Sequence, residues 1–581
     1  MPKGLHLADH IVIVGYFLLL TAIGVYFWRR MRHTRDFFVG NHDIPWWLSG
    51  VSFYMTGFSA FTFIAYSEMA YRHGFVAVTL AWSAAVAMAV GTVALAARWR
   101  RARIVTPVEF LEARYSKHIR QVLAWAGLPL RIIDDGLKIY ATGVFLSVGM
   151  GYDLKISIVG SGVVMLLYTF MGGLWAVIVT DYVQFIVLTI GVTALFPLVL
   201  GRLGEVGALG QGAQPGFLSP VNEPFSVLYV AAFYLLVLLS YNGNWAFAQK
   251  FYCVRDERAA QKAGALAVAL KIVGPPLFIL PALAARTLMP ELMVPPNSPQ
   301  YTYAALAVAY LPAGLMGLMI AAMFSATMST LSGDYNAMAS VLTGDVYHRM
   351  IDPRASDRRL ILVGRITTAL VGGLTIVIGI ALVETARKGL FEVMVAVFGL
   401  FVGPMLIPML AGLLNRRVTW RGAAAGIAAG FVSGISLFLL KNLVLVHRLD
   451  PVWLRYDFEA ITILINIGVT VAAMTIVTLR ERATAEDREQ IAAFFTRLDT
   501  PVRFDPAETE TRPAASPFAL IAAVTLGTGL LLWGAAAVQP GGNGRTINVA
   551  AGLALAVLAA GLWHLHRRLA HSAPAMAVPI E

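Results

Sequence analysis

About fifteen apolar runs, each roughly twenty residues long and separated by short polar loops, constrain this chain more than any other feature. A run of that length forms a helix that crosses the hydrocarbon core of a bilayer. A chain built from such runs has little sequence left for a soluble core. Composition agrees: 58% of the 581 residues are hydrophobic, 13% are charged, and mean hydropathy is +0.70. A soluble protein carries roughly twice that charged fraction. The chain therefore reads as an all-α polytopic membrane protein.

The runs lie near 10–28, 46–70, 75–98, 120–150, 154–173, 176–200, 225–250, 262–287, 300–345, 358–384, 387–414, 419–440, 458–478, 516–537 and 546–567. Under this count, loops 29–45, 99–119, 251–261, 346–357, 415–418 and 479–515 share one side. With their flanks they hold Arg29 to Arg35, Arg98 to Arg103, Arg255, Arg258, Arg349, Arg354, Arg416 and Arg417. The opposite loops, such as 201–224 and 288–299, hold almost no Lys or Arg. That bias predicts a multi-pass protein of the plasma (inner) membrane, with the N-terminus outside and the C-terminus cytoplasmic. The first run ends in Arg29 and Arg30 without a small-residue cleavage site, so it is expected to stay in place as a helix.

Several function classes fall away. The net charge of +12 comes from arginines spread between apolar runs and not from a binding stripe, which argues against nucleic acid. The single cysteine, Cys253, cannot form an internal disulfide. The longest polar stretch, 479–515, reads as a short amphipathic helix followed by a flexible cytoplasmic linker and is too small for an enzyme domain. Within the apolar runs there is no His/Cys cluster, no nucleophile elbow and no phosphate loop. The expected partners are the lipid bilayer and a small-molecule solute, and no obligate protein partner is inferred.

Three apolar runs carry polar interruptions. Ala326-Thr327-Met328-Ser329-Thr330 places three hydroxyls within four residues at membrane depth, which suits a hard cation. Gly50 to Ala60 includes Ser52, Thr56, Gly57 and Ser59, and Ser240 to Trp245 includes Tyr241, Asn242, Gly243 and Asn244. The last two segments open two consecutive five-helix blocks, 46–200 and 225–414. Matching helix breaks in matching halves are the expected sign of an inverted-repeat transporter with its site at the midplane.

Here the chain resembles the sodium:solute symporter family. Asp36-Phe37-Phe38-Val39-Gly40 is similar to that family's Asp-Phe/Tyr-Phe-x-Gly entry. Thr106-Pro107, with Glu109, Phe110, Arg114 and Tyr115, resembles its Thr-Pro-x-Glu-Phe/Tyr-x-x-x-Arg-Tyr stretch. Gly172-Gly173 followed by Thr180, Asp181 and Gln184 matches its Gly-Gly…Thr-Asp-x-x-Gln. Ala326, Ser329, Thr330, Asn336, Asp345 and Tyr347 match its Ala-x-x-Ser-Ser/Thr…Asn…Asp-Ile/Leu-Tyr. The resemblance implies the leucine-transporter fold: two inverted five-helix repeats with extra N- and C-terminal helices. The units would be 1–45, an extra helix and basic loop; 46–200 and 225–414, the repeats; 415–478, additional helices; 479–515, the linker; and 516–581, two terminal helices and a tail.

Carried over by position, the resemblance implies Na+ as the coupling ion. It would be held by the carbonyls of Met55, Phe58 and Ala326 and the hydroxyls of Ser329 and Thr330. Asp181 with Ser332 would form a second sodium site, although Gly333 stands where members with that site carry another serine. Asp334, one turn beyond Thr330, has no counterpart in the family pattern and could guide ion release, bind a proton or pair with a base. Arg131, Asp134, Asp135 and Lys138 are spaced to neutralise one another along one helix. The sugar-carrying branch has polar contacts where this chain has Gly57, Thr62, Ala81 and Ala396, and only Lys271 is kept. Candidate solute contacts are Tyr54, Gly57, Thr62, Tyr241, Asn242, Trp245 and Lys271, a set suited to a small amino acid, a carboxylate or a differently posed polyol. The expected activity is sodium-coupled import of a small organic solute by alternating access. A sensor that keeps the fold without transport, or a proton-coupled carrier, stays open.

Overall fold

The computed structural model describes residues 5–28, 42, 44–104, 107–169, 174–204, 209, 213–385, 389–481, 483–502, 517–539 and 542–572. The Arg29–Arg35 cluster, the Asp36–Gly40 motif and Gly172-Gly173 lie outside them. In chain order the helices are α1 Leu7–Trp28, α2 Trp46–Thr56, α3 Ala60–His73, α4 Val76–Ala94, α5 Ala96–Arg101, α6 Pro107–Arg114, α7 Lys117–Met150, α8 Leu154–Thr169 and α9 Leu174–Leu200. There follow α10 Val227–Gly243, α11 Trp245–Tyr252, α12 Glu257–Leu288, α13 Thr302–Tyr310, α14 Leu315–Val341, α15 Asp357–Thr385 and α16 Leu390–Leu414. The last are α17 Trp420–Leu443, α18 Pro451–Arg455, α19 Asp457–Arg480, α20 Ala485–Asp499, α21 Pro517–Ala537 and α22 Asn543–Ser572.

Among the described residues, eleven helices are long and apolar enough to cross a bilayer, or up to fourteen spans if each of three bent pairs counts as one. The sequence count of fifteen treats α7 and α8 as separate runs, and a turn of 119° between them reverses the chain direction. The other two bends are those foreseen in the two halves: α2 to α3 at 54° and α10 to α11 at 53°. Each follows from local chemistry. Gly57, Phe58 and Ser59 leave the helix, with Ser59 extended (φ −151°, ψ 173°) before α3 restarts. Asn244 is the single extended residue of the second break, and its Oδ1 accepts from the Ala246 N–H (2.9 Å), capping α11.

One expectation needs correction. The run 300–345 is not one helix but α13 and α14, parted at Leu311–Gly314. Pro312 cannot continue the α13 ladder, and Gly314 takes a positive φ of +86° that favours glycine. The freed N–H groups are not lost to lipid, because Asp9 Oδ1 accepts from Gly314 N (2.6 Å) and Gly317 N (2.8 Å).

The basic loops meet at one end of the bundle. Arg100 Nε donates to the Val254 carbonyl (2.7 Å), and Arg101 pairs with Glu257 (2.8 Å). Gln490 of α20 donates to the Glu112 carbonyl (2.8 Å). The amphipathic helix expected within 479–515 is α20, which buries Phe494, Phe495 and Leu498. Cys253 is buried at the same end, and burial pushes its thiol above the usual range. At the other end Asn222 donates to the His73 carbonyl (2.6 Å), Tyr71 to the Met289 carbonyl (2.8 Å) and Asn548 to the Ala313 carbonyl (2.7 Å).

Arg114 ties the basic end together. Its buried guanidinium donates to the carbonyls of Gly412 (2.8 Å), Asn415 (2.9 Å) and Val418 (2.9 Å) where α16 ends. Arg114→Ala orphans these carbonyls and should destabilise the protein by about 3 kcal/mol. A clear drop in the thermal unfolding midpoint in detergent checks it.

Candidate functional site

The site begins with a carboxylate inside the membrane. Asp181 is 1% exposed, on α9, and no lipid-facing position could hold it as an anion. Two hydroxyls and an ammonium surround it. Ser52 Oγ of α2 donates to Oδ2 (2.5 Å), Ser329 Oγ of α14 donates to Oδ1, and Lys250 Nζ of α11 stands 3.9 Å from Oδ2. This one side chain therefore joins four helices, two of them the broken ones. Helices α9 and α14 run antiparallel here, since Asp181 faces Ser329 while Gly191, ten residues on, packs against Met319.

A second bridge lies on the far side of the first break. The Ala60 N–H, freed at the start of α3, donates to Thr327 Oγ1 (3.1 Å), and Thr142 Oγ1 of α7 donates to the same oxygen (3.0 Å). Met55 and Phe58 thus lie between two contacts, Ser52 with Asp181 and Ala60 with Thr327, that fasten the break to the Ala326–Thr330 turn. Both residues are buried. The Met55 carbonyl accepts from Phe58 N (2.8 Å), the Ala326 carbonyl accepts from Thr330 Oγ1 (3.3 Å), and Ser332 Oγ donates back to the Ser329 carbonyl (3.1 Å). Thr330 and Ser332 are therefore bonded within their own helix, the ordinary behaviour of hydroxyls in a membrane helix. The donor set is all oxygen and mostly neutral, which suits a hard monovalent cation; a carbonyl bonded once keeps a lone pair for an ion.

The candidate solute contacts divide. Tyr54, Gly57, Tyr241 and Lys271 gather at the first break. Lys271 Nζ donates to the Gly57 carbonyl (3.2 Å) and lies 3.8 Å from the Phe58 ring centre and 5.4 Å from that of Tyr54. A side chain at Gly57 would meet Tyr241 Oη at 2.8 Å, so adding one requires Tyr241 to shift. A smaller cavity of about 300 Å³, counting space open to solvent, adjoins, lined by Tyr54, Phe58, Phe63, Leu188 and Phe278 among others. Thr62 sits early in α3, half-buried, its N–H bonded to the Ser59 carbonyl (3.0 Å). Asn242 lies elsewhere: its amide donates to the carbonyls of Ala87 (3.0 Å) and Leu238 (2.9 Å), fastening α10 to α4. Trp245 lines a separate, larger cavity.

That larger cavity encloses about 880 Å³, counting space open to solvent. Its wall includes Ser240 and Gly243 beside the second break, Arg131, Asp134, Trp245 and Asp334. It also includes Met409, one turn before Gly412 at the basic end. The expected pairing of Arg131, Asp134, Asp135 and Lys138 along one helix is only part of what forms. Lys138 does bond Asp134 (2.7 Å) and Asp135 (3.0 Å), but it also approaches Asp334 at 3.5 Å, and Arg131 pairs with Asp334 across to α14.

Sequence reasoning missed Thr327, Lys250 and the position of Ser52. Thr327 and Ser52 were in view as hydroxyls of the two polar segments. Lys250 looked like a loop-side base, and only the fold brings it to Asp181.

Two discontinuous helices, bent by nearly equal angles and fastened around a buried polar centre in an all-helical membrane bundle, define a secondary transporter. A family model described as the sodium:solute symporter family matches residues 37–430, and the chain belongs to that family. The family consists of transporters and not enzymes. The chain is similar to a sodium/glucose cotransporter of Vibrio parahaemolyticus, 27% identical over 461 residues that cover 74% of this chain and 84% of the relative. It is also similar to a sodium/sialic acid symporter of Aliivibrio fischeri (24% identical, 73% and 86% covered) and to human sodium/myo-inositol cotransporter 2 (26%, 89% and 82%). A solved structure of a Na+-coupled sialic acid symporter, substrate-bound and outward-open, superposes with a TM-score of 0.69 at 21% identity, covering 82% of this chain and 98% of that one. The fold is that of the leucine transporter, with added helices at both ends.

Thr327 separates a load-carrying hydroxyl from an ordinary one. Thr327→Val leaves the buried Ala60 N–H unpaired and should cost about 1–3 kcal/mol in thermal stability. Thr330→Val loses only a bond within its own helix, and its melting shift should be smaller. Equal shifts would contradict the bridging role.

Proposed function

We propose that the chain is a sodium-coupled symporter of the plasma membrane that imports a small organic solute by alternating access. The observation that carries this reading is the fastening of the first break to the Ala326–Thr330 turn by Asp181 and Thr327. Oxygens from two helices that must move relative to one another make an ion site whose occupancy depends on conformation. Na+ would be held by the carbonyls of Met55, Phe58 and Ala326 with the hydroxyls of Ser329 and Thr330. When the ion is bound, Thr330 would turn from its own helix toward it. Asp181 and Ser332 are the candidates for a second sodium, and Asp181 already touches Ser329 of the first set. The Na+ gradient would supply the driving force, because bound Na+ stabilises whichever state closes this site.

Solute selection falls to Tyr54, Gly57, Tyr241 and Lys271, with Thr62 nearby. Ala81 and Ala396 offer no hydrogen bonds, so a sugar posed as in the glucose-carrying relatives would leave hydroxyls unpaired. Residues 46–200 and 225–414 act as the two repeats, with 1–45, 415–478 and 516–581 as flanking elements and 479–515 joining the last pair. The basic end faces the cytoplasm, which puts the N-terminus outside, the C-terminus inside and the large cavity on the inner side as an exit vestibule.

Uptake by proteoliposomes under an imposed Na+ gradient, screened over amino acids, monocarboxylates and polyols, tests the reading. At least one solute should accumulate, and Ser329→Ala and Thr330→Ala should each raise the Na+ concentration for half-maximal uptake roughly tenfold, the loss of one ion ligand. Accumulation that needs no Na+, or that neither substitution changes, would overturn it.

A further inference from the structure

The charge group beside the inner vestibule does not balance. Asp134, Asp135 and Asp334 bring three carboxylates whose oxygens lie within 4.8 Å of one another, while among the described residues only Arg131 and Lys138 oppose them. One negative charge is left over in a cluster that lines the vestibule on one side and is sealed from water at Asp135. The place a metal ion would take among the three is already filled, since Lys138 Nζ reaches all of them at 2.7, 3.0 and 3.5 Å. One atom marks where the imbalance lies. Asp135 is fully buried, its Oδ1 accepts from Lys138, and its Oδ2 is buried with no hydrogen-bond partner.

We propose that Asp135 is a proton site, taking one H+ on Oδ2 from the vestibule. The step forms one O–H bond, with the proton delivered from water, and removes the surplus charge. The groups facing Asp135 are Lys138 and Asp134 of α7, Asp334 of α14, and Tyr335 of α14, whose hydroxyl is bonded to Thr375 of α15 (2.5 Å). On α15, Ile378 and Gly379 pack against the neighbouring Gly136. Asp134 and Asp334 line the vestibule, so the proton has a route from the basic end.

The proton acts on sodium through Asp334. That residue lies one turn beyond Thr330 on α14, and while the cluster keeps its surplus negative charge it attracts a cation at the neighbouring site. Protonation at Asp135 cancels the attraction, so an acidic inner compartment favours sodium release. This effect rests on the sodium reading above; the proton site itself does not.

Binding of ²²Na+ to the purified full-length protein in nanodiscs, at about pH 6 and about pH 8, reads the effect. The wild type should bind Na+ roughly tenfold more weakly at the acid pH. Asp135→Asn should bind weakly at both, like the protonated wild type. Should that variant fail to fold, Asp135→Ser removes the same single negative charge with a smaller side chain and should likewise bind weakly at both pH values. Infrared difference spectra between the two pH values should show a protonated-carboxyl stretch in the wild type that either variant lacks. A wild type that binds no Na+ but shows this band defeats the sodium reading and leaves the proton site standing. Absence of the band, or a pH dependence of binding that survives both variants, overturns the proton site.

Discussion

Everything in this structure depends on one constraint: inside a bilayer, a backbone group that leaves its helix must find a partner within the protein. The chain opens between α2 and α3, between α10 and α11 and between α13 and α14, and each of these openings is fastened by a named side chain. Thr327 takes the N–H of Ala60, Asn244 caps α11, and Asp9 takes the N–H groups of Gly314 and Gly317. At membrane depth an opening without such partners would cost several kcal/mol. With them, a helix can end at membrane depth and offer carbonyl oxygens to something other than itself.

The same constraint explains why buried charge concentrates where it does. Asp181 is tolerated because two hydroxyls and an ammonium converge on it from three other helices. That convergence makes the carboxylate a mechanical joint as well as an electrostatic centre. Ser329 gives its O–H to Asp181 and keeps its oxygen lone pairs for a cation, so ion binding and the fastening of α2 to α14 would share one hydroxyl. The inner cluster around Lys138 repeats the pattern with one charge too many, and surplus charge at a vestibule wall is what a mobile ion can act upon.

Much of this was legible in the sequence. Apolar run length gave the membrane class, Arg placement separated the loops that meet at the basic end, and Gly57 and Asn244 marked breaks that occur where expected. The runs that were misjudged failed for identifiable reasons. Hydropathy does not see a four-residue interruption such as Leu311–Gly314, although Pro312 and Gly314 were there to be weighed. Spacing along one helix suggested that Arg131 would serve its own α7, whereas its partner Asp334 is 203 residues away on α14. Asn242 carried the polarity of a solute contact but spends it on Ala87 and Leu238, a role that depends on which face of α10 meets α4. Long-range pairing of this kind leaves no periodic trace in a single sequence.

The central claim is that a monovalent cation sits between the first helix break and the Ala326–Thr330 turn. The most direct measurement is anomalous scattering from crystals of the protein with Tl+ in place of Na+. A peak coordinated by the carbonyls of Met55, Phe58 and Ala326 and the hydroxyls of Ser329 and Thr330 is the predicted result. A peak only elsewhere, or none at this position while Tl+ still competes with ²²Na+ for binding, would contradict the account.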